Sequence, residues 1–276
     1  MAEDPRGEIS LTPQAGLHCG HYFYRFDRSR LRNLAPAEIS DGCACFAAVL
    51  EASDPQAPSR LQTWLVGGHK ADFATILLDE DPLKIDGVHQ RLMSGPLGTA
   101  IQAVWSFVSM TEVSEYLPDV EKYGESLAAE GLDRGSDAFR VKLEQYRRRY
   151  EIMVRQRLQP DLPVWPAVCF YPMNKRRSGG DNWFRLPFEE RERMMAEHGA
   201  SGMEFAGKVT QLVTVAVGLD DWEWGVTLWA RNPQYLKDIV YRLRFDEASA
   251  RFGEFGPFYV GYLAPPRDIL RHCRVA

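Results

Sequence analysis

Hydrophobic and polar positions along the first 112 residues follow a pattern that predicts four strands and two helices. Strands repeat every two residues and helices about every 3.6, so a change of period marks a new element. The predicted order is strand, helix, strand, strand, helix, strand, at 21–26, 35–52, 61–67, 72–79, 82–93 and 101–110. This is the order of a ferredoxin-like unit.

The second half of the chain repeats this order. Its predicted elements, again strand, helix, two strands, helix and strand, are 164–173, 187–199, 207–219, 223–230, 232–245 and 256–264. Pro187 is expected in the first turn of one helix, and Asn232 and Pro233 open the next. The repetition predicts an α+β fold in which two tandem ferredoxin-like βαββαβ units form a dimeric α+β barrel-like subunit.

A connecting segment separates the two units. We assign 1–112 to the N-terminal ferredoxin-like unit, 113–160 to the connection and 161–276 to the C-terminal ferredoxin-like unit. The polar, Gly-rich stretch before Ser136 is expected to be an exposed loop, and Ser136 to be the N-cap of a long helix. The apolar stripe of that helix is Phe139, Leu143, Tyr146, Tyr150 and Met153. Its next step reaches Arg157, which either snorkels to solvent or projects a cation toward whatever the stripe faces.

Composition and charge exclude some classes of function. The 276 residues are 45% hydrophobic and 26% charged, as in ordinary globular proteins. A formal net charge of −5 makes nucleic acid a poor principal partner, whereas the basic cluster at 175–177 favours a small anionic ligand. No apolar run approaches the roughly 18 residues of a membrane span, and the N-terminus lacks a secretory pattern. We therefore expect a cytoplasmic protein without a membrane span.

Two groups of histidine and cysteine invite a metal-site interpretation. They are His18, Cys19 and His21 in HCGH, and Cys43 and Cys45 in CAC. Neither spacing is CxxC or HxxxH, and residues two apart on a helix point to different faces. The pattern favours free thiols in a reducing compartment over a metal site.

Strand 164–173 ends in oxidisable side chains, and the basic cluster 175–177 follows almost directly. In an extended chain Tyr171 and Met173 share one face, and Lys175 continues it if the extension persists. The commoner interpretation is a core tyrosine followed by a solvated turn. The alternative is a surface that offers a phenol, a thioether and cations together.

Two further polar residues lie on apolar faces. Gln211 shares a strand face with Val209 and Val213, so it needs either a structural hydrogen bond or a pocket with a polar ligand. His198 falls on the apolar arc of helix 187–199 beside methionines. Most such histidines are core residues, but a neutral imidazole in this setting also suits an axial heme ligand.

The stretch YPMNKRRSGGDNWFRLPFEERERMMAEHG (171–199) resembles the signature of coproheme decarboxylases, the heme-biosynthesis branch of the chlorite dismutase-like superfamily. Segments 207–230 and 243–262 resemble later signatures of that family in the same order. The resemblance is strongest over 157–264. It implies paired ferredoxin-like units, in agreement with the periodicity, a heme bound by the C-terminal unit 161–276, and a homopentameric assembly.

The resemblance also implies roles for individual residues. His198 would be the axial ligand of the heme iron, Tyr171 the catalytic radical tyrosine, and Lys175 would assist at the propionate being cleaved. Gln211 would lie on the distal side. The remaining propionate-binding residues would be Arg157, Met173, Arg244 and Ser249.

The implied substrate is iron coproporphyrin III (coproheme), which would also serve as the redox cofactor, and the implied oxidant is hydrogen peroxide. Two propionates would become vinyl groups, giving heme b as the product. A transient contact with coproporphyrin ferrochelatase, which supplies coproheme, is also implied.

Some features of the chain depart from the family or leave other functions open. Chlorite-decomposing members are expected to carry a distal arginine, so Gln211 disfavours that activity. Met203 stands where several relatives carry a basic residue, and the loop 113–135 does not align. The alternatives are a heme peroxidase or chlorite dismutase-like enzyme and a non-catalytic heme carrier. An RNA-binding module is disfavoured by the acidic charge and the lack of an RNP-type aromatic motif.

Overall fold

The computed structural model describes residues 9–276. Residues 1–8, which contribute to the interpretation of the N-terminus as lacking a secretory pattern, lie outside this range. The strands are β1 (His18–Phe26), β2 (Arg60–Val66), β3 (Phe73–Asp79), β4 (Ile101–Thr111), β5 (Ala167–Lys175), β6 (Arg177–Ser178), β7 (Asp181–Asn182), β8 (Val209–Val215), β9 (Trp224–Ala230), β10 (Gly253–Phe255) and β11 (Tyr259–Leu263). The helices are α1 (Arg28–Leu31), α2 (Pro36–Val49), α3 (Pro82–Ser94), α4 (Val120–Ala129), α5 (Asp137–Leu158), α6 (Phe188–Met203), α7 (Pro233–Leu243), α8 (Glu247–Ala250) and α9 (Pro266–His272).

Antiparallel pairing closes the main sheet into a barrel. The hydrogen-bonded order is β5-β11-β2-β3-β1-β4-β8-β9, and β9 pairs again with β5. The short strand β10 pairs with the end of β5, beyond the part that pairs with β11. Closure leaves no unpaired edge on the ring. The predicted order is present twice, as β1-α2-β2-β3-α3-β4 and as β5-α6-β8-β9-α7-β11, so the α+β prediction is confirmed.

Alternate residues of the strands fill the barrel with aromatic side chains. Fully buried rings include Phe23, Trp64, Phe107, Phe170 and Trp229. One histidine joins them: the His21 ring lies 4.2 Å from that of Phe170, and its Nε2 is 2.8 Å from the hydroxyl oxygen of Thr227. Burial lowers the pKa of His21 to about 3, so this imidazole is neutral at physiological pH.

Helices cover the outside of the barrel in two separate layers. Over the N-terminal half, α2, α3 and α9 bury a core that includes Phe46, Phe73 and Ile269. Over the C-terminal half, α7 packs Leu236 and Ile239 against the outward residues of β5, β8 and β9. The helix α6 continues this second layer and borders the cavity described below.

The stretch 121–135, expected as an exposed loop, contains helix α4, so that prediction was wrong. This helix packs on α5: the rings of Tyr123 and Tyr146 stack with centroids 3.9 Å apart, and Leu127 is buried. Gly124 faces α5, where a Cβ would stand 3.4 Å from Leu143. A methyl group at this position would make ordinary van der Waals contacts, so the packing of α4 on α5 outweighs the low helix propensity of this glycine.

Several element boundaries also differ from the predictions. The strand predicted over 207–219 ends at Val215, because the following residues turn toward β9. Helix α6 extends past 199 to Met203. The Ser136 cap is confirmed, since its hydroxyl accepts a hydrogen bond from the Phe139 amide. Within residues 9–276, the helices are too short or too polar to cross a membrane.

The histidine and cysteine groups lie on opposite sides of the sheet. Cys19 and His21 point into the barrel, with the Cys19 sulfur 3.8 Å from Nδ1 of His21. Cys43 and Cys45 lie on α2 against the outer core. Burial raises the pKa of Cys19 to about 12, so this thiol stays protonated.

Candidate functional site

A cavity of about 670 Å³ lies where the end of α5 meets α6, α7 and the outer face of β8. This volume is typical of small-molecule and cofactor sites. Its apolar lining comes from four elements: Met153 of α5, Val209 of β8, and Ile239 and Leu243 of α7, with Gly199 and Gly202 of α6 between them. The polar side chains on its walls include His198, Gln211 and Arg157.

His198 is fixed through one ring nitrogen. Its Nδ1 is hydrogen-bonded to the hydroxyl of Ser249 at 3.4 Å and lies 3.2 Å from Oδ2 of Asp246, a charge contact without hydrogen-bond alignment. Asp246 is 1% exposed, and its other oxygen accepts bonds from Ser201 (2.7 Å) and Arg242 (3.1 Å). A carboxylate can only accept, so the proton of the neutral ring belongs on Nδ1. The lone pair of Nε2 is then left for a ligand, as in metal-binding histidines held by a carboxylate.

The charge of His198 is set by its surroundings. Burial lowers its pKa below the usual 6.5, and the nearby positive charge of Lys175 lowers it further. The Asp246 carboxylate opposes this, but the net direction is downward. The imidazole is therefore neutral at pH 7, as metal ligation requires.

Gln211 belongs to the sheet wall of the cavity. It is exposed, and its side chain makes no hydrogen bond to any residue within 9–276. Of the two interpretations of a glutamine on a valine face, the structure supports a residue that faces a pocket. Gln211 and His198 thus come from different walls, one from the sheet and one from the helical layer.

Tyr171 lies on the outward face of β5 but is not part of the cavity wall. It is 5% exposed, and its ring stacks on Phe258 with centroids 4.5 Å apart. Burial raises its pKa well above 10, so the phenol is protonated. Its hydroxyl has no hydrogen-bond partner among residues 9–276. The apolar cluster around Tyr171 includes Val209 and Leu243, which also line the cavity.

Lys175 is buried at the end of β5, 8% exposed. Its Nζ donates to the Ala248 carbonyl at 3.0 Å and lies 4.2 Å from the centroid of the Trp183 ring. Burial lowers its pKa from 10.5 to about 8. This amine can therefore exchange a proton close to neutral pH, which an ordinary surface lysine cannot.

The remaining predicted residues fall into two places. Arg157 lines the cavity, and burial lowers its pKa. Met173 and Arg244 lie near Tyr171: Met173 packs against the same cluster, and the Arg244 guanidinium lies 3.8 Å from the centroid of the Phe255 ring. The hydroxyl of Ser249, whose predicted role is to bind a propionate, lies 3.4 Å from Nδ1 of His198.

Comparison with known proteins decides the family. Residues 41–264 match the family model described as chlorite dismutase. This chain belongs to the chlorite dismutase family.

Individual proteins and solved structures are also similar to this chain. A protein of Natronomonas pharaonis named for heme binding is 40% identical over 202 residues, which are 73% of this chain and 31% of that protein. The chain thus spans less than a third of that relative's length. A heme-binding protein from Thermus thermophilus has a TM-score of 0.75 and 33% identity, and the match covers 96% of this chain and 98% of that one.

A chlorite dismutase from Candidatus Nitrospira defluvii, solved in complex with imidazole, has a TM-score of 0.69 at 16% identity. The match covers 95% of this chain and 97% of that chain. At this identity the likeness concerns the fold alone.

Sequence reasoning missed Asp246, which holds the histidine of this chlorite dismutase family member. The residue lies in LRFDEASARFG, a segment whose resemblance was noted without a role for the aspartate. Asp246 follows α7 and His198 is on α6, so periodicity within one element cannot pair them. The available signal was a pair of acidic residues before the small residues 248–250, which fits a helix N-cap equally well.

Proposed function

We propose that this chain is a hydrogen peroxide-dependent coproheme decarboxylase, which converts two propionates of iron coproporphyrin III to vinyl groups and yields heme b. The observation that carries the proposal is the neutral His198 imidazole, tethered by buried Asp246 at the wall of a cavity that Gln211 and Arg157 also line. The relatives named for heme binding support a porphyrin ligand.

The cavity residues fit an iron porphyrin. His198 offers Nε2 as an axial ligand, and Val209, Ile239 and Leu243 offer an apolar surface for the macrocycle. Arg157 makes no ion pair with any residue of the described range 9–276, so an anionic substituent would satisfy a half-buried cation. Bound iron would supply one-electron oxidation driven by peroxide.

Tyr171 is suited to a radical role. Its phenol is protonated and has no protein hydrogen-bond partner within residues 9–276, so the hydroxyl is left for the substrate. Tyr171 and Gln211 lie on strands separated only by β9, and Gln211 is offset from the level of Tyr171 by two residues along the strand. Two strand spacings and this offset put their backbones roughly 12 Å apart. A tetrapyrrole lying along this face would reach both residues.

The reaction balances with one peroxide for each propionate. Oxidised Tyr171 would take a hydrogen atom from the propionate β-carbon, which removes the first electron. The bond to the carboxyl carbon would then break, with carbon dioxide leaving and the second electron passing to the peroxide-derived oxidant, so that a vinyl group remains. In sum, R–CH2CH2COOH and H2O2 give R–CH=CH2, CO2 and two molecules of water. Lys175 would hold the carboxylate as an ammonium and could exchange a proton, because its pKa is about 8.

Assembly and partners complete the proposal. We infer a cytoplasmic homopentamer that receives coproheme by transient contact with coproporphyrin ferrochelatase, because segment 171–199 resembles the coproheme decarboxylase signature. Light scattering of the purified protein measures the number of subunits directly.

The first experiment is a peroxide titration of the protein loaded with iron coproporphyrin III, with the porphyrin followed by mass spectrometry. We expect stepwise loss of two carboxyl groups in the wild type and none in Tyr171→Phe. The matched control is Tyr262→Phe, which changes an exposed tyrosine of β11 and should leave the reaction intact. Tight binding with all four propionates surviving would refute the decarboxylase and favour a heme carrier or peroxidase.

A further inference from the structure

Residues 158–163, here called the strap, join α5 to the segment before β5 and form one wall of the cavity. The members of the strap on the cavity surface are Gln159, Pro160, Asp161, Leu162 and Pro163. Arg157 is in the last turn of α5, directly before the strap, so anchoring of the strap constrains the end of the helix that carries this cation.

Both ends of the strap are tied to strands of the N-terminal half. The Thr111 hydroxyl, on β4, donates to the Leu158 carbonyl at 2.9 Å. Nε2 of Gln62, on β2, donates to the Pro163 carbonyl at 2.9 Å. The cavity lies in the C-terminal half, yet strands of the other half hold one of its walls.

Gln62 also holds a second wall. Trp229 lines the cavity and is 1% exposed, and its indole N–H donates to Oε1 of Gln62 at 2.7 Å. The two ends of one amide thus serve two walls, with the oxygen accepting from Trp229 and the nitrogen donating to Pro163. An apolar side chain at this position would leave both the indole N–H and the carbonyl without these partners.

We propose that Gln62 is a positioning residue for porphyrin binding: through its two hydrogen bonds it sets the separation of the strap from Trp229 and thereby aims Arg157. The inference rests on the proposed function only in taking the ligand to be a porphyrin. Residues that hold a ligand-binding group in place commonly change affinity by 10–100-fold when they are lost.

The test measures binding of heme b and of metal-free coproporphyrin III to the full-length apoprotein, by quenching of tryptophan fluorescence. We expect Gln62→Leu to lower the affinity for both porphyrins about tenfold or more. Gln62→Glu retains an acceptor for Trp229 but loses the donor to Pro163, so it should keep the wild-type emission maximum and still bind more weakly. The control Gln102→Leu removes an exposed glutamine from β4 and should bind as the wild type does.

A purely structural role predicts a different result. It would lower the denaturation midpoint of both Gln62 variants and leave the affinity of the folded protein unchanged, which would overturn the proposal. If Gln62→Leu does not fold, the comparison of Gln62→Glu with wild type decides by the same criterion. A wild type that binds coproporphyrin but leaves its propionates intact refutes the decarboxylase, not the role of Gln62.

Discussion

Replacing Lys175 by methionine should change how stability depends on pH. Methionine keeps most of the side-chain volume and removes the buried amine. Since burial lowers the pKa of Lys175 from 10.5 to about 8, holding its charge in the folded protein costs about 3 kcal/mol at pH 7, at about 1.4 kcal/mol per pH unit. The Ala248 carbonyl and the Trp183 ring contact Nζ in the folded protein, and this cost is what remains with both contacts in place.

The sign follows from proton binding. Between pH 8 and 10.5 the unfolded chain binds the Lys175 proton more tightly than the folded chain, so wild-type stability rises with pH in this window. Relative to Lys175→Met, the wild type should gain about 2 kcal/mol between pH 7 and pH 9.5. All other titrating groups are common to both proteins and cancel in the difference.

Urea unfolding of the two apoproteins at pH 7 and pH 9.5 measures this difference. The matched control is Lys142→Met, which removes an exposed lysine from α5 and should track the wild type at both pH values. An equal stability difference between wild type and Lys175→Met at the two pH values would show that Lys175 is not a buried charged amine. Its proposed part in proton exchange would then lose its basis.

Three other substitutions test the site and the barrel. Asp246→Asn should weaken heme binding 10–100-fold, measured by heme transfer to a scavenger protein, because the His198 imidazole loses its charged acceptor; unchanged transfer would contradict this role. Arg157→Leu should lower the affinity for coproporphyrin III more than the affinity for a porphyrin with fewer carboxylates. Equal losses of affinity would show that Arg157 does not contact a propionate. Gly225→Ala should destabilise the fold by about 1–3 kcal/mol in thermal unfolding, because a methyl group there collides with the Phe107 ring.

The sequence predicted those features that depend on neighbours along the chain. The parity of β5 put Tyr171, Met173 and Lys175 on one face, and the helical arc put His198 toward the interior of its layer. Both inferences use the fixed geometry of one element.

Features that depend on contacts between elements could not be predicted in this way. The contact between Asp246 and His198 joins the residue before α8 to α6, and the hydrogen bonds of Gln62 join strands of opposite halves. Helix α4 was missed because its polar, Gly-containing sequence indicates a loop, whereas the stacking of Tyr123 on Tyr146 of α5 depends on another element. Periodicity carries no information about such pairings.

The closed ring has a consequence for how the chain is made. Strand β2 has β11 as one neighbour, and the core of the N-terminal half is completed by Ile269 and Leu270 of α9. When only the first half has left the ribosome, its sheet therefore has an open edge at β2 and its core lacks the residues of α9. Contacts between residues so far apart in sequence slow folding. The first half must wait for the last residues of the chain, so truncation at the C-terminus should damage the half of the molecule that was synthesised first.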